Sequence, residues 1–103
     1  MSEFRTVARL EDVPEGSMIG VEVDGVKVAV IHENERFFAL HDCCSHEEFP
    51  LSDGDLDNGH VTCILHGARF ELETGTAVAL PAVRPVKTYE VRVADGEIQV
   101  SLG

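Results

Sequence analysis

Cys44-Ser45-His46 and, after sixteen intervening residues, Cys63-Ile64-Leu65-His66 each place one thiol and one imidazole within a short stretch. Thiolates suit iron–sulfur centres and zinc, and imidazole suits iron and zinc, so these four residues could hold either metal. Spacing separates the two in part. Common zinc fingers draw two cysteines from one stretch and two histidines from a helix, whereas here each stretch is mixed and no helix is evident. Mixed stretches fit a two-iron centre in which one iron takes both cysteines and the other both histidines; a structural zinc remains the alternative. On an extended chain Cys43 points away from its neighbour Cys44, so it reads as a small buried apolar residue. His32, His41 and His60 lack a partner at ligand spacing and read as ordinary strand or turn histidines.

The elements that must position these residues are strands. Apolar residues alternate with period two at Val21 and Val23, at Val26, Val28 and Val30, and at Val91 and Val93. Asp24-Gly25 and Asp95-Gly96 sit between such runs and supply the positive backbone angles of tight hairpin turns. Hairpins are therefore expected over 18–31 and 86–102. Arg36 to Asp42 reads as a central strand covered on both faces, because Phe37, Phe38, Ala39 and Leu40 occupy both. A further hairpin, from His60 to Leu65 and Arg69 to Glu73, is bounded by Asn58-Gly59 and Thr74-Gly75. Short strands at this spacing predict an all-β chain, an antiparallel sandwich or barrel.

With 103 residues, 44% of them hydrophobic, the chain has room for one domain, 1–103, with a modest core. Its 19 acidic and 8 basic residues leave a net charge of −11, which repels nucleic acid phosphates and anionic lipid and favours a monomer. No apolar run reaches the ~20 residues of a spanning helix, and the start carries no signal-like pattern, so a cytoplasmic location is expected. Three cysteines, two of them adjacent, do not make the disulfide framework of a secreted domain. Between Arg36 and Arg69 there is no Lys or Arg, yet six acids occur: Asp42, Glu47, Glu48, Asp53, Asp55 and Asp57. Asp42 and Arg69 are candidates for a buried pair bracing the two metal-binding stretches.

The order C-x-H, a gap of this size, and C-x-x-H resembles the fingerprint of the Rieske ferredoxin family. His66-Gly67-Ala68-Arg69-Phe70 is similar to that family's second loop, and Thr74-Gly75 followed by Ala79-Leu80-Pro81-Ala82 is similar to the segment that closes over its cluster. The resemblance implies a Rieske iron–sulfur domain with an antiparallel β-sandwich base and a small inserted cluster-binding subdomain at about 42–82. It implies one [2Fe-2S] cluster, with Cys44 and Cys63 on the inner iron, His46 and His66 on the outer iron, and Pro81 as a shield. Neutral imidazoles in place of two thiolates make the centre less negative, and such centres lie at about −150 to +300 mV against about −400 mV for plant-type ferredoxins. Leu65 stands where respiratory relatives carry a disulfide cysteine, and Ala68 where they carry a serine. Fewer hydrogen bonds to sulfide and the nearby carboxylates place the expected potential at the low end.

The chain has no flavin or nicotinamide fingerprint and no facial triad for a mononuclear iron. The resemblance therefore implies a carrier rather than an enzyme. It would pass single electrons from a flavoprotein NAD(P)H reductase to a terminal aromatic-ring-hydroxylating oxygenase, with the acidic stretch steering basic partners. The alternatives are a Rieske-like small subunit of an assimilatory nitrite reductase and a zinc-holding interaction module.

Overall fold

The computed structural model describes residues 3–43, 50–63, 67–79 and 84–102. Its strands are β1 Phe4–Arg9, β2 Ser17–Val23, β3 Val26–Glu33, β4 Arg36–His41, β5 Asp55–Asp57, β6 His60–Thr62, β7 Arg69–Glu71, β8 Ala77–Ala79, β9 Thr88–Ala94 and β10 Glu97–Ser101. They form a six-stranded sheet in the order β1-β10-β9-β4-β3-β2 and a four-stranded sheet in the order β5-β6-β7-β8. Every pairing is antiparallel. The four short strands all fall between β4 and β9 in the chain, so the smaller sheet is an insertion into the larger.

The hairpins expected from the two Asp-Gly pairs are present, while Asn58-Gly59, expected only to precede a hairpin, itself turns β5 into β6. The reason is visible in the backbone. Asp24 and Gly25 have φ of 49° and 82°, Asn58 and Gly59 have 42° and 87°, and Asp95 and Gly96 have 53° and 75°. Two consecutive left-handed residues are what a two-residue hairpin turn needs to match strand twist. The β3–β4 turn reaches the same conformation without glycine, at Asn34 (54°) and Glu35 (60°). Here Glu15 supplies the compensation: its carboxylate accepts the Asn34 N–H at 2.7 Å and the Glu35 N–H at 2.8 Å. The Glu35 N–H is the main cause that holds the Glu15 carboxyl below the usual range; desolvation opposes it, and the Asn34 N–H and the charge of His32 add to it.

Period two divides the side chains of β3 and β4 between two cores. Val28, Val30 and Ala39 join Val13, Val23, Ile98 and Val100 in one cluster. β1 and β2, at opposite ends of the strand order, both contribute to it through Val7, Ala8 and Val21, so the larger sheet curls around its own core. Ile31 and Leu40 point the other way and meet Leu51, Val61, Cys63, Ala68, Phe70, Leu72 and Val86. That second cluster welds the smaller sheet to the larger; each fully buried large apolar side chain in it contributes about 1.5–3 kcal/mol. β4 lies between β3 and β9, covered on both faces as its sequence indicates.

Candidate metal centre

Of the four candidate ligands, Cys63 is described and Cys44, His46 and His66 lie outside the described residues, as does Pro81. Cys63 follows β6 directly and is 2% exposed. Its N–H donates to the Ala68 carbonyl at 2.7 Å, and the Gly67 N–H donates to the Cys63 carbonyl at 3.0 Å. Gly67 accomplishes this at φ +77°, a left-handed conformation that glycine adopts at no steric cost. Both ends of the 64–66 segment are thereby pinned to each other.

The first candidate stretch is tied down in a different way. β4 ends as the His41 N–H donates to the Lys87 carbonyl at 2.8 Å and the Asp42 N–H to the Lys27 carbonyl at 2.9 Å. The Asp42 side chain, only 6% exposed, accepts the Ser52 N–H on Oδ1 and the Ser52 hydroxyl on Oδ2, both at 2.7 Å. Ser52 belongs to a 3-10 turn, Leu51–Asp53, whose Leu51 is completely buried in the second cluster. The ends of 43–51 are therefore held by one doubly bonded carboxylate. The third segment is closed by backbone alone: the Val86 N–H donates to the Gly75 carbonyl at 2.9 Å and the Gly75 N–H to the Glu71 carbonyl at 2.7 Å. Gly75 is left-handed, and a Cβ there would collide with the Val86 carbonyl oxygen.

Leu51, Cys63, Ala68 and Val86 share one cluster, so the bases of all three segments converge on the same core. Segments whose ends are clamped in this way suit a site that binds metal without reorganising, and the buried Cys63 thiol is of a type that could serve as a ligand there. Among the described residues no group of three or more His, Cys, Asp or Glu stands ready to hold a metal. Nor is any helix among them long and apolar enough to cross a membrane.

Other expectations fare differently. Asp42 and Arg69 do not pair: Asp42 binds Ser52, and the Arg69 guanidinium lies 3.3 Å from Asp57. The registers explain this. Asp55, Thr62 and Arg69 form one row across β5, β6 and β7, and Asp57, two residues on, shares the same face within reach of a long side chain. Cys43 is half-buried rather than buried, because it already lies beyond the end of β4. His32 stacks on Phe37 with ring centroids 4.1 Å apart, and its Nδ1 lies 2.8 Å from the Val13 carbonyl oxygen, a packing role. His60 begins β6, at the opposite end of that strand from Cys63, and lines a cavity of about 250 Å³ with Glu33, Phe38 and Glu71. Sequence reasoning missed Ser52, the hydrogen-bond partner of Asp42, and Gly20, whose missing side chain leaves room for both; no spacing or turn pair marks either role.

Around these bases the charge is mixed. Asp53, Asp55 and Asp57 are exposed, while Lys27, Arg84 and Lys87 are exposed beside the stems. Glu47 and Glu48 lie outside the described residues.

A model of the Rieske [2Fe-2S] domain matches residues 3–90. The 3-phenylpropionate/cinnamic acid dioxygenase ferredoxin subunit of Photorhabdus laumondii is 43% identical over 97 residues, 93% of this chain and 91% of that protein. The ferredoxin of carbazole 1,9a-dioxygenase from Nocardioides aromaticivorans IC177 superposes with a TM-score of 0.91 at 36% identity, over 96% of this chain and 97% of the other. A chain from the complex of reduced oxygenase and oxidized ferredoxin in carbazole 1,9a-dioxygenase gives a TM-score of 0.89 at 31% identity, over 95% of this chain and 92% of that one.

Proposed function

Because the chain belongs to the Rieske [2Fe-2S] domain family, we propose that it is a one-electron carrier working between a flavoprotein NAD(P)H reductase and a terminal aromatic-ring-hydroxylating oxygenase. The observation that carries this reading is the convergence of three clamped segments, two of them bearing the Cys/His motif, on a single buried cluster that includes Cys63. The similarity to ferredoxin subunits of dioxygenase systems over nine-tenths of the chain supports the carrier role, and the structure of an oxygenase–ferredoxin complex supports the oxygenase as recipient.

In this reading Cys44 and Cys63 would hold one iron and His46 and His66 the other, and residues of about 42–82 would form the cluster-binding part of the one domain spanning 1–103. When bound, the cluster supplies a single electron reversibly within the family's span of potentials. The chain's own residues do the rest. Leu51, Ala68, Phe70 and Leu72 exclude water from the base of the site. Ala68, completely buried, offers a methyl where a hydroxyl would donate to sulfide, which keeps the potential at the low end. As ligands of the second iron, His46 and His66 would be the groups through which a partner exchanges the electron. Asp53, Asp55 and Asp57, with Glu47 and Glu48, attract basic partner surfaces. A net charge of −11 opposes self-association, so the carrier acts as a monomer.

The test is electron delivery. Dithionite-reduced chain, freed of reductant and mixed anaerobically with an oxidised ring-hydroxylating oxygenase, should reoxidise as the oxygenase is reduced. Failure to pass electrons to any such oxygenase, with a reducible cluster present, would contradict the proposed role.

A further inference from the structure

We propose that Asp42 and Ser52 form a positioning clamp for the first ligand loop, governing how firmly iron is retained and at what potential it cycles. This deepens the reading of Cys44 and His46 as ligands and rests on it. Asp42 and Ser101 are the two buried polar residues among those described, so Asp42 is an ionisable group inside the structure that needs an explanation. Both of its oxygens are satisfied by one residue, through the Ser52 N–H and hydroxyl, each at 2.7 Å. The bond spans ten positions, and the loop it closes contains Cys44 and His46.

Each anchor is itself immobile. Asp42 is fixed to β3 through Lys27, and Ser52 sits in a turn pegged by buried Leu51 and by the Gly54 N–H donating to the Leu51 carbonyl at 2.9 Å. The space for the pair comes from Gly20 on β2: a Cβ there would lie 2.6 Å from Asp42 Oδ2 and 2.8 Å from Ser52 Oγ. Gly20 has an ordinary backbone angle, absent from the left-handed set, so its lack of a side chain serves the cleft rather than a turn. Holding both loop ends reduces the conformations open to the two ligands, which favours the metal-bound geometry over the empty one. Asp42 also places a carboxylate two residues from a proposed ligand, where it disfavours added electron density. Neither residue is a ligand; they act through the loop.

The experiment compares cluster-loaded full-length chain with S52A, S52T, D42N and G20A. S52A removes the hydroxyl bond and keeps the backbone one. Iron release to a ferrous chelator should accelerate about tenfold in S52A and further in D42N, with strand circular dichroism unchanged and S52T restoring most of the retention. G20A should reproduce the S52A effect by filling the cleft. The midpoint potential of D42N should rise more than that of S52A, which loosens the same contact but keeps the carboxylate charge. Release rates and potentials equal to wild type in S52A and D42N would overturn the clamp. If D42N does not fold, S52A against S52T decides. A wild type that binds no iron–sulfur centre would overturn the ligand reading and the clamp together, an outcome distinct from loaded but unaffected variants.

Discussion

Cys63 is the residue at which motif and structure meet: named by its spacing to His66, it is placed by the fold in the core shared by both sheets. Replacing Cys44 or His66 by Ala should give chain without iron, read by metal content, and a lowered melting temperature, since metal binding and folding are coupled. Full iron occupancy in either variant would contradict the assignment. Glu15 gives a second prediction. Its folded-state pKa is lowered, so its contribution is complete above the ordinary carboxylate value and is lost as pH falls through the lowered one. E15Q should therefore melt below wild type at neutral pH, and the two melting curves should converge in acid. At this scale the candidate ligands stand out in the sequence because chemistry constrains their types and intervals. The partners of the polar groups do not, since Ser52 reaches Asp42 from a 3-10 turn ten residues away and Asp57 reaches Arg69 only once β5, β6 and β7 are in register.

The hairpins with Asp-Gly turns were the most legible elements, because that pair announces two left-handed residues and the valine alternation announces which face goes inward. β5 and β8, three residues each, are too short to show a period, and the 3-10 turn at Leu51–Asp53 carries no capping signal. The β3–β4 turn, left-handed at Asn34 and Glu35, depends on Glu15 from a distant part of the chain. Glycines separate two kinds of turn. Gly59 is left-handed in open space, so Gly59→Ala should cost about 1 kcal/mol. Gly75 is left-handed and packed against the Val86 carbonyl, so Gly75→Ala should cost more than about 2 kcal/mol and loosen the base of the third segment. Urea unfolding midpoints of the two variants give the comparison; equal losses would show that the Gly75–Val86 contact is unimportant.

Across the whole molecule, two cores divide the labour: one stabilises the curled larger sheet, and the other fastens the smaller sheet with its three loop bases. Sequence alternation foretold the strands, and the apolar run of β4 foretold its burial on both faces, but neither foretold which side chains of β3 and β4 would join which core. The excess of acids predicts that electron transfer to a basic partner slows as salt rises from 0.05 to about 0.5 M, where the screening length falls to a few ångströms. Rates indifferent to ionic strength would remove steering from the account, and exposed Lys27, Arg84 and Lys87 beside the stems make that measurement informative about which flank docks. The central claim is mixed ligation of two irons by two thiolates and two imidazoles. It is tested most directly by pulsed electron paramagnetic resonance of the dithionite-reduced chain, prepared with and without ¹⁵N-labelled histidine. The account predicts a reduced [2Fe-2S] signal with two directly coordinated histidine nitrogens whose couplings change on labelling. A signal without nitrogen coupling, or a colourless zinc-loaded chain with no signal, would contradict it.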